Sequence, residues 1–355
     1  MAKSPNPAPA GVHEAAQALA VLMTRHHGAP VAIERLVPLT GGASRQTLAF
    51  EAVLPDRRRQ RLILRRDPVA KSGQPSDTDS DSLRLGPSWA SEFALLRCAE
   101  QQGVPVPPAL IELTPQDGLG QGFIVGFVEG ETLARRILRE PVFANARSLL
   151  ARQCGEIAGR IHGAQRAGLP PLPALTTIDH IALYRRRLAQ WDEPMPVFEL
   201  ALRWLGQNCP IEPGPADHGS GMTLVHGDFR LGNFIVGPEG MRAVLDWELA
   251  HIGDPYEDLG WICTKAWRFG AREPVGGFGA RADLFAGYEA VTGRMVDRGR
   301  VRFWEIFGSL RWGIMCLMMA ARHISGRQRS VELAAIGRRV SENEHDLLQL
   351  LQEKG

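Results

Sequence analysis

The sequence predicts an α+β fold with two lobes: a small N-terminal lobe built on an antiparallel β-sheet and a larger, mainly α-helical C-terminal lobe. Strand-like patterns and turn signals dominate residues 29–128, whereas long segments with helical periodicity dominate residues 129–355. The chain has 355 residues, of which 44% are hydrophobic, so it can bury more than one core. A cleft between the lobes is expected.

Residues 1–28 are expected to form a tail followed by one helix. The first ten residues, MAKSPNPAPA, lack the apolar core of a signal peptide, and we expect them to be disordered. Apolar residues then recur at helical spacing over residues 12–26, and Gly28 and Pro30 end the pattern.

The first lobe is predicted to contain a small antiparallel sheet, because short runs with strand-like composition alternate with turn signals. Residues 68–87 are rich in Ser, Asp, Gly and Pro and are expected to form a mobile loop. The boundary between the lobes is expected near Glu129. The predicted elements are strands over 32–39, 45–53, 61–65 and 121–128, an extended connector over 105–108, and a helix over 89–102.

The second lobe is predicted to be mostly helical, because its apolar residues recur at helical spacing. The segment 315–319, with aromatic residues upstream, is apolar almost all round, which indicates a helix at the centre of the lobe. The predicted helices cover residues 142–166, 177–191, 197–208, 256–268, 280–292, 301–323 and 330–352.

Composition excludes little. The net charge of +2 indicates neither a nucleic acid nor a membrane as partner. Five cysteines without a CxxC pair argue against a disulfide framework or a zinc knuckle, so a reducing cytoplasm is the expected location. No segment reaches the roughly 18 apolar residues of a membrane span. Nothing in the sequence predicts the oligomeric state.

The stretch LVHGDFRLGNFIVGPEGMRAVLDWE, residues 224–248, carries the clearest chemical signal. Asp228 and Asn233 lie five residues apart across a turn-forming segment, and Asp246 follows a second short apolar run. This layout predicts short strands joined by a loop and a turn, with the three side chains brought together. Two carboxylates and a carboxamide can hold a hydroxyl and bind Mg²⁺, which prefers oxygen ligands.

Each of these residues also has an ordinary explanation. Asp228 alone could cap a turn, since Asp is a common loop residue, and only the joint pattern favours catalysis. We expect His226 to fix the loop through a structural hydrogen bond rather than to take part in the chemistry.

The spacing resembles the catalytic and metal-binding loops of the protein-kinase-like superfamily, in which His-x-Asp is followed by Asn and then by an Asp-aromatic element. Gly227 and the segment 246–261, DWELAHIGDPYEDLGW, resemble the aminoglycoside phosphotransferase and choline kinase family. The segments LRRDP, residues 64–68, and GSLRWG, residues 308–313, look like the kinase-like domain fused to some acyl-CoA dehydrogenases. The resemblance implies a bilobal protein-kinase-like fold and an ATP- and Mg²⁺-dependent kinase that phosphorylates a small-molecule hydroxyl.

The resemblance also assigns roles to the residues of the second lobe. Asp228 would accept or orient the proton of the substrate hydroxyl, and Asn233 and Asp246 would hold Mg²⁺ against the β- and γ-phosphates. Arg230 lies where related kinases place a basic residue facing the transferred phosphate, although a solvated surface Arg explains it nearly as well. Three further acidic residues have supporting roles: Glu248 would join the metal shell or support the loop, and Asp254 and Asp258 would brace the loop through backbone N–H groups.

In the first lobe, the resemblance places the cation for the α- and β-phosphates at Arg65, where the family generally has Lys. Arg is bulkier than Lys and can donate two hydrogen bonds to phosphate oxygens at once, so Arg at this position changes the geometry of phosphate binding. Glu92 is its expected ion-pair partner, although a Glu in a first helical turn also favours the helix dipole. Backbone groups of Gly41, Gly42 and Ser44 are expected to bind phosphate, although a simple hairpin turn would explain these residues equally well. Backbone groups of Gly126, Phe127 and Val128 are expected to bind adenine.

Two other functions stay open. A nucleotide-binding pseudokinase or scaffold is favoured by Arg65, and a metal-dependent hydrolase could use His226, Asp228, Asp246 and His251. For a kinase, resemblance to the domain fused to acyl-CoA dehydrogenases implies a hydroxyacyl-CoA acceptor, while an antibiotic or a sugar alcohol also remains open.

Overall fold

The computed structural model describes residues 10–39, 45–67, 86–210 and 221–353. The predicted tail, most of the predicted loop over 68–87, and the nucleotide-site candidates Gly41, Gly42 and Ser44 lie outside these residues.

The first lobe contains one five-stranded antiparallel sheet, which confirms the predicted fold of this region. The elements of this lobe are α1 (Ala10–His27), β1 (Ala32–Pro38), β2 (Gln46–Val53), β3 (Arg59–Arg66), α2 (Trp89–Gln101), β4 (Ala109–Glu112) and β5 (Gly122–Gly126). The strand order in the sheet is β1-β2-β3-β5-β4. Strand β2 alternates buried and partly exposed residues, and its buried Leu48 and Phe50 pack with Leu19 and Met23 of helix α1.

The second lobe is mainly helical, as predicted, with four short strands between its helices. Its first part contains α3 (Ala134–Arg139), α4 (Ala144–His162), α5 (Thr177–Leu188), α6 (Pro196–Gln207), β6 (Thr223–Val225), β7 (Phe234–Gly237), β8 (Gly240–Val244) and β9 (His251–Gly253). The remaining helices are α7 (Tyr256–Cys263), α8 (Arg281–Thr292), α9 (Arg298–Ile324), α10 (Val331–Gly337) and α11 (Val340–Gln352).

Three details differ from the sequence-based prediction. Strand β4 and helix α3 have only four and six residues, too few to give a periodic signal. Helix α7 ends at Cys263 and is followed by a separate 3₁₀ turn. The helix predicted over 330–352 is two helices, because the chain bends at residues 338–339 so that both α10 and α11 pack against α9.

Helix α9 forms the centre of the second lobe. Its residues Trp304, Phe307 and Leu310 are almost fully buried, as the apolar composition of this region predicts. Helix α7 lies directly against it at Gly260, where a Cβ atom would be 2.4 Å from the Trp304 Cβ. The absence of a side chain therefore lets α7 approach closely and fixes the acidic residues of its first turn.

The stretch that carries the chemical signal forms two antiparallel pairs, β6 with β9 and β7 with β8. Val225 pairs with His251, which places the chain after β6 beside the chain before β9. Among the described residues, no helix has the length and apolarity needed to cross a membrane.

Candidate active site

The loop between β6 and β7 fixes the carboxylate of Asp228 from several sides. Arg230 Nε and Trp261 Nε1 donate hydrogen bonds to its Oδ1 at 2.9 and 2.7 Å. Asn233 Nδ2 donates to its Oδ2 at 2.6 Å and to its carbonyl oxygen at 3.0 Å. These donors restrict the Asp228 side chain to one orientation. Asn233 thereby keeps its amide oxygen for another partner.

The base of the loop is held by a buried carboxylate. Asp258 is fully buried and accepts hydrogen bonds from the backbone N–H groups of His226 and Gly227 at 2.8 and 2.9 Å. Its Oδ2 also lies 3.1 Å from His162 Nε2. Asp258 thus braces the loop, as expected. Asp254 does not, so that prediction is wrong: it accepts from Arg300 and Trp304 of α9 and from the backbone N–H of Tyr256 in α7.

Both ring nitrogens of His226 are used by the backbone. Nδ1 accepts from the N–H of Asp228 at 3.2 Å, so Nε2 carries the proton and donates to the Leu245 carbonyl at 2.9 Å. The geometry agrees with the structural role predicted for His226. Gly227 is required beside it, because its φ is 78° and a Cβ there would be 2.4 Å from the Leu249 carbonyl oxygen.

Leu245 places Asp246 next to this loop. The backbone N–H of Leu245 donates to the Asn233 carbonyl at 2.7 Å, and its carbonyl binds His226. Asp246 itself has a φ of 63°, a left-handed conformation that is costly for a residue with a side chain and is often found at functional sites. The structure therefore brings Asp228, Asn233 and Asp246 together, as the spacing predicts.

Arg65 of β3 joins the two lobes. Its Nη1 lies 2.9 Å from Oε1 of the fully buried Glu92, which confirms the expected ion pair, and its Nη2 donates to Asp246 Oδ1 at 2.7 Å. Burial raises the pKa of Asp246, but the neighbouring Arg65 charge and hydrogen bond outweigh it, so this pKa lies below its usual value. The carboxylate is ionised at neutral pH.

A second arginine, Arg45, belongs to the same network and was missed by the sequence analysis. It pairs with Glu92, its Nε lies 3.2 Å from Glu248 Oε2, and its guanidinium lies 4.1 Å from the centre of the Trp89 ring. Burial and the nearby charge of Asp246 raise the pKa of Glu248 to about 7. The position of Arg45 directly after the Gly-containing segment 41–44 is the sequence signal that could have indicated it.

The three residues expected to contact adenine lie at the end of β5 and directly after it. The backbone N–H of Gly126 donates to the Pro108 carbonyl at 2.9 Å, and that of Phe127 donates to the Arg61 carbonyl at 3.1 Å. The Arg61 guanidinium also covers the Phe127 ring at 3.6 Å. Val128 therefore has the backbone N–H best suited to a base among the three predicted residues.

The site combines oxygen donors for a cation with arginines for phosphate. The carboxylates of Asp246 and Glu248 and the amide oxygen of Asn233 are hard ligands of the kind that Mg²⁺ prefers. Arg65 and Arg45 approach them from the other lobe. Such an arrangement can hold a polyphosphate and its cation beside the fixed carboxylate of Asp228.

Curated proteins with related sequences are acyl-CoA dehydrogenases. The chain is 27% identical over 190 residues to acyl-CoA dehydrogenase family member 10 of Mus musculus, and 28% identical over 224 residues to the Probable acyl-CoA dehydrogenase IBR3 of Arabidopsis thaliana. The alignments cover 48% and 58% of this chain but 16% and 25% of those proteins, so the chain matches a minor part of each. The resemblance to the domain in these proteins is thereby confirmed.

Solved structures confirm the protein-kinase-like fold. A protein of Ralstonia eutropha JMP134 assigned as an aminoglycoside phosphotransferase matches with a TM-score of 0.70 at 20% identity, covering 94% of this chain and 97% of that one. The GDP complex of aminoglycoside 2'-phosphotransferase-IIIa matches with a TM-score of 0.60 at 15% identity, covering 96% and 98%. Residues 35–304 match the sequence model of the phosphotransferase enzyme family, and the chain therefore belongs to that family.

Proposed function

We propose that this protein is an ATP- and Mg²⁺-dependent kinase that transfers the γ-phosphoryl group of ATP to a hydroxyl of a small molecule. The observation that carries the proposal is the fixed carboxylate of Asp228, which lies in one loop with Asn233 and next to Asp246. Positioning and charge stabilisation are most of what phosphoryl transfer requires from a protein.

In this proposal Asp228 accepts a hydrogen bond from the substrate hydroxyl, orients its oxygen toward the γ-phosphorus and takes its proton late in the reaction. Its bond from Trp261 keeps the carboxylate in one orientation. Arg230 donates to the same carboxylate and stacks 4.2 Å from the Trp267 ring centre, and its guanidinium is proposed to bind the transferred phosphoryl oxygens.

Asn233 and Asp246 are the residues proposed to hold Mg²⁺, with Glu248 supporting them. A bound Mg²⁺ neutralises charge on the β- and γ-phosphates. Arg65 is the proposed cation for the α- and β-phosphates, and its hydrogen bond to Asp246 Oδ1 would hold that carboxylate beside them. Gly41, Gly42 and Ser44 remain candidates for backbone contacts to phosphate, and Gly126, Phe127 and Val128 for contacts to adenine.

A hydroxyacyl-CoA is the proposed acceptor, on the basis of the relatives that carry acyl-CoA dehydrogenase names. Arg185 and Arg186 at the end of α5 are exposed, and their charge suits an anionic acceptor better than a polycationic aminoglycoside. The reaction and the five free cysteines fit a reducing compartment that contains ATP, and we propose the cytoplasm.

A pseudokinase is the second candidate, because the Arg65–Asp246 contact occupies the proposed metal ligand with a protein cation. The hydrolase hypothesis has less support, since both ring nitrogens of His226 are bound to the backbone and neither is available to a metal.

The test is ADP release by the purified protein with Mg²⁺ and ATP across a panel of 3- and 4-hydroxyacyl-CoAs, aminoglycosides, macrolides, choline and sugar alcohols. The kinase proposal expects release that depends on one acceptor class and is lost in Asp228→Ala. Tight binding of Mg·ATP without turnover would favour the pseudokinase. Hydrolysis of a panel member without nucleotide would overturn both.

A further inference from the structure

Three buried side chains from three different elements converge behind the catalytic loop. His180 lies in α5, His251 in β9 and Glu257 in the first turn of α7, and each is at most 3% exposed. His180 Nε2 lies 3.3 Å from His251 Nε2, and Glu257 Oε2 lies 3.2 and 3.1 Å from these two nitrogens. No other three His, Cys, Asp or Glu side chains in the described part of the chain meet in this way.

We propose that His180, His251 and Glu257 form a buried binding site for a divalent transition metal of the Zn²⁺ class. Neighbouring ligands around a tetrahedral ion are about 3.3 Å apart when the bonds to the metal are about 2.0 Å long. The observed triangle, with edges of 3.1–3.3 Å, has the size of one face of such a tetrahedron. Two imidazoles and one carboxylate are a known ligand set for Zn²⁺.

The surroundings orient two of the three donor atoms toward this centre. His251 Nδ1 lies 2.8 Å from the Leu249 carbonyl, which holds the proton on Nδ1 and leaves the Nε2 lone pair for a metal. Glu257 Oε1 accepts from Arg311 Nη1 at 2.9 Å, so Oε2 is the free oxygen of that carboxylate. Both are the kind of outer contact that positions metal ligands.

Hydrogen bonding within the protein leaves this cluster incomplete. Among the described residues, His180 Nδ1 has no hydrogen-bond partner, and Glu257 Oε2 receives no hydrogen bond of normal geometry although two ring nitrogens lie within 3.2 Å of it. A buried carboxylate oxygen without a donor is costly. A cation at the centre of the triangle satisfies Oε2 and both Nε2 atoms together. A proton held on His251 is the competing arrangement.

The site would act on the catalytic loop through rigid contacts. Arg311, which binds Glu257, also donates from Nη2 to the Gly227 carbonyl at 3.0 Å. The next residue after Glu257 is Asp258, which holds the N–H groups of the loop. A metal here would therefore tie α5, β9 and α7 together beneath the loop and stabilise the second lobe, separately from the Mg²⁺ proposed at Asp246.

The test uses the full-length protein without an affinity tag, treated with a chelator and then titrated with Co²⁺ and Zn²⁺. We expect one tightly bound Co²⁺ per chain with the intense visible absorption of a four-coordinate site, its displacement by Zn²⁺, and a higher Tm with either metal. The variants His180→Gln and His251→Gln should lose the absorption and the Tm shift. Two controls should keep both: His162→Gln, which changes a buried histidine outside the cluster, and Asp246→Asn, which removes the Mg²⁺ ligand.

Failure to bind Co²⁺ or Zn²⁺ stoichiometrically would overturn the proposal and leave the protonated arrangement. Loss of the bound metal in Asp246→Asn with retention in His180→Gln would place it in the active site instead, which also overturns the proposal. If the histidine variants do not fold, X-ray absorption of the Zn²⁺-loaded wild-type protein decides: imidazole scattering supports the site, and an oxygen-only shell contradicts it. None of these measurements depends on kinase activity.

Discussion

Arg65 Nη2 donates a hydrogen bond to Asp246 Oδ1 at 2.7 Å, so the cation of the first lobe holds the proposed metal ligand of the second. The same guanidinium binds the buried Glu92 through Nη1. Lys has a single nitrogen and could not make both contacts with the fork geometry of Arg. One side chain of the first lobe therefore connects the two lobes.

Replacement of Arg65 should weaken nucleotide binding. A hydrogen bond to a charged group contributes about 1.5–3 kcal/mol, so Arg65→Ala is expected to weaken the affinity for Mg·ATP by about 10- to 100-fold. Arg65→Lys should weaken it less, because it keeps the charge. Isothermal titration calorimetry measures both, with circular dichroism as a folding control. Unchanged affinity in Arg65→Ala would show that Arg65 does not bind the phosphates.

Asp246 should control the effect of Mg²⁺ on nucleotide affinity. In the wild-type protein Mg²⁺ is expected to strengthen ATP binding, and in Asp246→Asn this difference should disappear because the metal loses an anionic ligand. Glu248→Gln is the matched variant and should retain most of the effect. The measurement is ATP titration with Mg²⁺ and with a chelator. An equal response to Mg²⁺ in wild type and Asp246→Asn would move the metal site elsewhere.

Trp261 should influence turnover without affecting nucleotide binding. Its Nε1 donates to Asp228 Oδ1 at 2.7 Å, and loss of this charge-assisted bond in Trp261→Phe is expected to lower kcat by roughly 10-fold while ATP affinity stays the same. Trp312→Phe is the control, since Nε1 of this buried tryptophan has no partner among the described residues. Equal kcat values for the two variants would remove Trp261 from the positioning of Asp228.

Asp258 should be a major determinant of stability. Asp258→Ala leaves two buried backbone N–H groups and His162 without their acceptor, and we expect a loss of about 3–5 kcal/mol in the free energy of unfolding. The exposed Asp283, in the first turn of α8, is the control: Asp283→Ala should cost less than about 1 kcal/mol. Urea denaturation compares them. Similar losses for both variants would mean that Asp258 does not hold the loop.

Asp117 should make the first lobe sensitive to acid. Burial raises the pKa of this carboxyl, but hydrogen bonds from Thr114 and Arg25 outweigh it, so the folded pKa lies below the usual 3.8. Its stabilisation is therefore fully present above that value and is lost as the pH falls through the folded pKa. Asp117→Ala should cost about 1–2 kcal/mol at pH 7, and the difference from wild type should shrink in acid. A difference that is constant with pH would contradict this.

Local patterns predicted the parts of the site that are close in sequence. The strands around residues 224–248 were predicted from short apolar runs separated by turn signals, and the positions of Asp228, Asn233 and Asp246 followed from the same prediction. Trp261 binds Asp228 across 33 positions, and no local pattern indicates such a contact. Arg45 and Asp254 show the same limit, because their partners are chosen by tertiary packing.

The most direct test of the central claim follows the phosphoryl group itself. ATP labelled in its γ-phosphoryl group is incubated with Mg²⁺, the best acceptor from the panel, and either wild type or Asp228→Asn, and the products are separated. We predict that the label appears on the acceptor hydroxyl with wild type and is lost with Asp228→Asn, whose affinity for Mg·ATP should remain within a few-fold of wild type. Label found only in inorganic phosphate, or transfer that is equal in Asp228→Asn, would contradict the account.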